Sequence, residues 1–565
     1  MNQTLIIYTR QAVNNIIYDP RLAYSMHLAY VNEQNQAKAF NHNSGVFFVK
    51  ATENADGSLN PKSLENPYVF KTKQGTYGIL ATRIEGDGGE DAESKEHLVY
   101  AETNDFIRYE EKGLISIHDA ALSREINAYF QEREARVTEC KKYDFSGIEG
   151  IVCHQVITIT DSQMAYLHQK LLTPEMVEVK VPNFIQLHTK EDLEHQFVDT
   201  IFSDGTIVPK KITMDANQID FTRPGKYTVN ATLTQMHFKN PIAIHRADPD
   251  VTFWNGKYYF IATNDADHNH TLYIRESDTL EGLATAEEHL ILDSDTYDNI
   301  KGLLWAPEFH EIDGRLYIFH AATREEFFAE ESRLMTLNEG GNPLNREDWS
   351  RPERIVRMDG SELCEEGKEI TLDMTCFLWE GDYYAIWSQR QFLPKDLGAW
   401  LYIAKLNPKK PWMLASEPIV LSKPNYGWGN NHTFVEEGPF ALINGDTLYI
   451  TFSAAAVDVS YVVSYLSIRK GQDLLTPSNW FKNNYPILTA RSVAGEYGTG
   501  HNAYVIDESG TVWNTYHARF GTDAPRSSAI RRVHFDVDGA PMLDVTEELD
   551  IKESLKNIKV VVEVK

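Results

Sequence analysis

Along the second half of the chain, short runs of alternating aromatic and aliphatic residues follow two-residue turns at a near-constant interval. Five such units read NGKYYFIAT from Asn255, DGRLYIFHA from Asp313, EGDYYAIWS from Glu380, NGDTLYITFS from Asn444 and SGTVWNTYHA from Ser509. Alternation with period two after a tight turn predicts a strand leaving a hairpin. Ahead of each turn stands a polar residue: Asp248, Glu308, Asp373, Glu437 and His501, separated by 60, 65, 64 and 64 residues. A strand repeat of this length is the mark of a propeller blade. A radial arrangement then brings the five polar residues around one central axis. Residues 238–550 are accordingly predicted to form a five-bladed β-propeller, with DVDGAPMLDVTEELD from Asp536 returning to the first blade to close the ring. No WD dipeptide is placed as in a WD40 repeat, and there is no Ser-x-Asp-x-Gly-x-Thr-Trp box.

The first half is also strand-rich, so the predicted fold class is all-β. Residues 1–118 form a β-rich module: NPYVFKTKQGTYGILATR from Asn66 reads as strand, turn, strand, and HLVYAETNDFIRYEEKGLI from His97 as the outer half of the same blade-like unit. Residues 119–147 lack the alternation, are rich in Ala, Glu and Arg, and read as a connector, helical or loosely packed. Residues 148–236 hold further strands, ending in a Pro-Gly turn and KYTVNATL, the way an immunoglobulin-like sandwich commonly closes. Residues 551–565 are left as a C-terminal tail.

Composition narrows the partners. In 565 residues the net charge is −28, which disfavours nucleic acid and anionic membranes, whereas neutral sugars are indifferent to it. No apolar run reaches membrane-spanning length. MNQTLIIYTRQAVNN has neither a basic n-region nor a sustained apolar stretch, so the expectation is a bacterial cytoplasmic protein in which N-x-T sites such as Asn230 and Asn431 carry no information. Cys140, Cys153, Cys364 and Cys376 include no pair at zinc-knuckle or redox spacing and are expected to be reduced, buried thiols.

Inverting hydrolysis of a glycosidic bond needs two carboxyl groups, one protonated to assist the leaving oxygen and one ionised to activate water. Three carboxylates stand in constrained settings. Asp248, in IHRADPDV, is held extended by Pro249, with Asp250 two residues on as competitor. Glu437, in FVEEGPF, precedes Gly-Pro, and Glu436 would face the other side. Asp373, in ITLDMTCFLW, is costly to bury unless partnered, and would raise the pKa of a nearby acid by like-charge repulsion.

ADPDV, WAPEFH, LDMTCF, EEGPF and GTGHNAY, in that order and at blade spacing, resemble glycoside hydrolase family 43, over roughly residues 240–545. The resemblance implies a five-bladed inverting glycosidase in which Asp248 is general base, Asp373 pKa modulator and Glu437 general acid. DTLEGLATAEE, LSKPNYGW and YHARF are similar to its exo-acting α-L-arabinofuranosidases, and Glu308 in the WAPE form fits that branch. Release of terminal arabinofuranose from short oligosaccharides is the implied activity. β-D-Xylosidase, β-galactofuranosidase and an inactive carbohydrate-binding propeller are the alternatives. A scaffold for protein partners would leave the in-register acids unexplained.

Around this core, Trp305, Glu308, Arg246 and Arg519 are candidate substrate-binding residues: the Trp for stacking, the Arg pair for hydroxyls or for orienting a carboxylate. No cofactor is required for the chemistry. In the family a histidine matching His501 lies near a central calcium or its waters, so a structural calcium with His501 as an indirect ligand is an expectation. His268 and His270, in DADHNHT, read as a polar loop at the pocket mouth, and REEFFAEE from Arg324 as a loop face.

Overall fold

The computed structural model describes residues 2–13 and 18–565. The chain divides into two compact units, Met1–Met164 with Asn240–Ile530, and Ala165–Lys239 with Arg531–Lys565.

The first unit is built from antiparallel sheets. Asn2–Arg10 lies between Ile151–Thr160 and His27–Val31 in one four-stranded sheet, so the strand opening the predicted sandwich belongs here instead. Lys62–Lys71, Tyr77–Glu85, His97–Thr103 and Tyr109–Ser116 form a second. The connector is helical, with Ser123–Gln131 burying Ile126 and Tyr129. The next helix, Arg133–Cys140, runs beside Ile151–Thr160 and brings Cys140 within 6.1 Å of Cys153, Cα to Cα, where the two form a disulfide. This corrects the expectation of reduced thiols: the pairing comes from helix-on-strand packing, which Cys spacing alone does not encode.

Five four-stranded antiparallel sheets occupy the second half. Their first strands are Arg246–Trp254, Gly302–Ile312, Glu369–Trp379, Glu436–Asn444 and Tyr497–Ile506. Each carries the same irregularity. After a regular pairing, two residues on the first strand oppose one on its neighbour: Asp248 and Pro249, Ala306 and Pro307, Asp373 and Met374, Gly438 and Pro439, His501 and Asn502. The first residue of every bulge has positive φ, at 50°, 44°, 52°, 54° and 51° in turn. The repeat is therefore Asp248, Ala306, Asp373, Gly438, His501. The predicted polar ring was out of register in two places, with Glu308 two residues beyond its bulge and Glu437 one residue before.

The last of these sheets is completed by Ala243–Ile244, which pairs with Arg526–Arg532. The predicted closure by DVDGAPMLDVTEELD is thereby corrected: that segment pairs with the two residues just before it, Pro541–Met542 against His534–Phe535, within the second unit. The second unit's other strands join in one six-stranded sheet, ordered Met176–Lys180, Phe197–Phe202, Ile207–Met214, Gly225–Thr234, Asn557–Val564, Ile185–Leu187. The predicted tail is thus an interior strand. Val560, Val562 and Val564 alternate into a core with Phe202, Ile212, Val229 and Leu233, burial that a solvent tail could not provide.

Beside that core, Asp550 is buried with Lys210 Nζ at 2.7 Å and Arg532 Nε at 2.8 Å. Replacing Asp550 with Asn leaves the Arg532 guanidinium buried without a counter-charge and Lys210, whose pKa burial already lowers to about 7, without its carboxylate, so Asp550→Asn is expected to lower stability by about 3–5 kcal/mol. Urea unfolding of variant and wild type measures this, and equal midpoints would refute it.

Candidate active site

The bulges aim side chains into one cavity of about 430 Å³, lined by Asp248, Asn269, Trp305, Phe327, Asp373, Arg390, Glu437, His501, Arg519 and Arg526 among others. A left-handed residue that is not glycine costs about 1–3 kcal/mol of strain, and such strain gathers at functional sites. Here backbone hydrogen bonds between adjacent sheets hold it in place. Thr263 Oγ1 accepts from the Ala306 N–H at 2.8 Å, Asp373 Oδ2 from Gly438 at 3.0 Å and Ser453 Oγ from His501 at 2.7 Å.

Asp248 sits among donors. Thr263 Oγ1 donates to Oδ2 at 2.7 Å, while His517 Nδ1 at 3.0 Å and Arg526 Nη1 and His501 Nδ1 at 3.3 Å face Oδ1. Burial alone would raise its pKa, but Arg526 and the two imidazoles outweigh burial and hold the carboxyl well below the usual carboxylate range. Arg526 is itself fixed by Asp265, through Nε at 3.0 Å and Nη2 at 2.8 Å.

Glu437 is the opposite case. Burial, with the charge of Asp248 adding to it, pushes its carboxyl up to about 7, against an opposing hydrogen bond from Tyr461 Oη to Oε1 at 2.7 Å. Asp373 is also raised well above the usual range, by burial first and then by Glu437 and Asp248. One cavity thus holds a carboxylate that stays ionised and a carboxylic acid that keeps its proton near neutrality. Those are the two states that general base and general acid catalysis require.

Of the other candidates, Trp305 and Arg519 line the cavity. Trp305 Nε1 donates to Asn269 Oδ1 at 2.9 Å, and Arg519 Nη1 to the Ala524 carbonyl at 2.9 Å. Glu308 and Arg246 do not reach it. Two residues past its bulge, Glu308 is buried against His310, 2.9 Å away, one layer off the cavity with Asp250. Arg246 is spent on Glu288, with Nη2 at 2.7 Å and Nε at 3.1 Å.

Reading the sequence missed Arg526, Tyr461, His517, Asn269 and Arg390. Arg526 and Tyr461 lie on outer strands or loops with no repeat to mark them. Asn269 was inside the noted DADHNHT loop.

Among the described residues no three His, Cys, Asp or Glu side chains gather as metal ligands. His501 Nε2 is buried without a partner, but one imidazole nitrogen does not fit the six to eight oxygens that calcium takes, so no step is assigned to a metal.

The N-terminal sheets support the wall carrying Glu437. Asn484 bonds both the N–H and carbonyl of Phe48, at 2.6 and 3.2 Å, and His432 Nε2 lies 3.2 Å from Asp19. Arg21 donates to the Asn430 carbonyl. These contacts brace the segment before Val435, itself a cavity residue.

Two carboxyl groups displaced in opposite directions within one pocket suit hydrolytic chemistry. The profile of glycosyl hydrolases family 43 matches residues 238–541, and the chain belongs to that family. It is similar to an extracellular exo-α-(1→5)-L-arabinofuranosidase of Streptomyces avermitilis, 32% identical over 316 residues, 54% of this chain and 62% of that protein. An enzyme of the same name from Streptomyces chartreusis is 31% identical over 284 residues, 50% of this chain and 82% of that protein. The chain spans less than two thirds of the length of the first relative. Among solved structures, an α-L-arabinofuranosidase from Lactobacillus brevis aligns with TM-score 0.47 and 28% identity, covering 54% of this chain and 94% of that one. The expected cytoplasmic location is overturned by these relatives, two of which are named as extracellular.

Arg526→Met removes the strongest attraction on the Asp248 carboxylate, so the Asp248 pKa is expected to rise. In a pH profile of glycoside hydrolysis the acid limb moves to higher pH. An acid limb that stays put would show that Arg526 does not hold Asp248 ionised.

Proposed function

We propose that this protein is an inverting exo-glycosidase that releases terminal α-L-arabinofuranose from arabino-oligosaccharides, using the five sheets as blades of a propeller and a second unit related to immunoglobulin-like modules. The observation that carries the reading is the opposite displacement of Asp248 and Glu437 within one cavity. The Streptomyces relatives support the sugar and the exo action. Their names, together with the Cys140–Cys153 disulfide, also support work outside the reducing cytoplasm.

In this mechanism the Asp248 carboxylate accepts a proton from water as that water attacks the anomeric carbon. Arg526 and His517 keep Asp248 ionised until then. Glu437 gives its proton to the departing glycosidic oxygen. Asp373, raised by burial and by Glu437, is the neighbour that tunes the acid, and accepts from the N–H of Gly438, the residue next to it. Displacement is single, so no glycosyl-enzyme forms. Trp305, steadied by Asn269, presents an aromatic face at the rim to the apolar C–H side of a sugar.

Glu437→Gln is expected to cut kcat/KM on arabino-oligosaccharides by about 10²–10⁴-fold, yet to reduce hydrolysis of nitrophenyl α-L-arabinofuranoside by about ten-fold or less, because nitrophenolate leaves without a proton. Equal losses on both would remove Glu437 as the acid. Turnover of nitrophenyl β-D-xyloside in place of the arabinoside would move the reading to the xylosidase alternative.

Activity needs Glu437 protonated, so it falls as pH rises through about 7. The Tyr461 hydroxyl favours the carboxylate, so Tyr461→Phe is expected to move that falling limb upward in a pH profile. A downward move would contradict the assignment.

A further inference from the structure

At the cavity mouth the chain leaves aromatic rings in water. Phe327 and Phe328 are 39% and 46% exposed, on the short turn Phe327–Ala329 between the strands Arg315–Thr323 and Glu330–Thr336. Phe392 stands on the neighbouring sheet, its ring centroid 5.6 Å from Phe327 and 5.1 Å from Phe328. Trp305 continues the cluster inward, edge to face with Phe327 at 6.1 Å. Phe327 and Trp305 both line the cavity, so the cluster is an extension of its wall.

The two loops are pinned to one anchor. The Phe328 carbonyl accepts from the Gly367 N–H at 3.1 Å, and the Phe392 N–H donates to the Lys368 carbonyl at 2.7 Å. Rings held by backbone on adjacent sheets make a fixed surface, and a surface of this kind beside a site reads as a place for a ligand.

Its position relative to the chemistry identifies the ligand. Arg390 lines the same cavity, lies close enough to Glu437 to favour its ionised form, and sets its guanidinium 4.9 Å from the Phe392 ring centroid. Asp396 steadies that guanidinium at 2.7 Å. The platform therefore stands on the acid's side of the pocket. The group protonated by Glu437 is the leaving sugar, and in an exo-acting pocket that sugar points outward through the mouth.

We propose that Phe327, Phe328 and Phe392 form a leaving-group subsite, a hydrophobic platform on which the C–H faces of the sugar units beyond the scissile bond stack. This rests on the exo-glycosidase reading and extends it, since affinity then depends on the sugars attached to the terminal arabinose.

The test uses the full chain carrying Phe328→Ala with Phe392→Ala, which leaves the cavity-lining Phe327 in place, against Phe328→Tyr with Phe392→Tyr, which keeps both rings. With Glu437→Gln added to every arm so that the triose is not consumed, calorimetry measures binding of α-1,5-arabinotriose and of free L-arabinose, which fills only the inner pocket, and a parallel assay follows triose hydrolysis by the same chains with Glu437 intact. Triose affinity is expected to fall about ten-fold or more in the double Ala variant, with arabinose affinity unchanged and the Tyr pair near wild type. Unchanged triose affinity in the Ala variant overturns the platform, as does an equal loss for both sugars or a change in self-association alone. A wild type that binds no triose overturns it too. If wild type binds but does not hydrolyse the triose, and the Ala pair still weakens that binding selectively, the subsite stands while the glycosidase reading falls.

Discussion

The repeated bulge is the constraint that creates the site. In five successive sheets the strand that carries the site gains one residue over its partner, and the residue at the break takes a left-handed conformation. A regular strand would send successive side chains to opposite faces. The bulge turns the chain so that Asp248, Asp373 and His501 converge. The strain is tolerable because bulge N–H groups at Ala306, Gly438 and His501 are each bound by a side chain of another sheet. One of those acceptors is Asp373, so the same contact that stabilises the scaffold couples two of the acidic positions.

Convergence creates an electrostatic problem that the protein resolves asymmetrically. Asp248, Asp373 and Glu437 are buried side by side in one cavity, where each charge opposes ionisation of the next. Arg526, His501 and His517 all lie within 3.3 Å of Asp248, and the remaining two carboxyls take the cost as raised pKa values. Which carboxyl stays ionised is thus set chiefly by where the Arg526 guanidinium lies, since burial lowers the pKa of both imidazoles. Asp265 matters for the same reason: by holding Arg526 it fixes which carboxylate is favoured.

Strand content, the five-fold repeat and the three acids were legible because each leaves a local pattern: period-two alternation, a glycine turn, a Pro beside a carboxylate. The register of the repeat was not. Glu308 looked equivalent to Asp248 by spacing, but the bulge falls at Ala306, and a bulge is a backbone event that Ala, Gly, Asp and His all accommodate here. Arg246 was plausible beside Asp248 in sequence, yet its guanidinium is held by Glu288 instead. Arg526 and Tyr461 reach the site through folding of distant segments, which no spacing announces. The C-terminal strand was misread as a tail because its partner, Gly225–Thr234, lies more than three hundred residues earlier.

The central claim is that Asp248 and Glu437 work in one step from opposite sides of the anomeric carbon. Its most direct test is proton NMR of the arabinose released in the first minutes from an α-L-arabinofuranoside, before mutarotation. A single displacement predicts the β anomer as first product. Initial release of the α anomer would mean a double displacement through a covalent intermediate, and would contradict the roles given to both carboxyl groups.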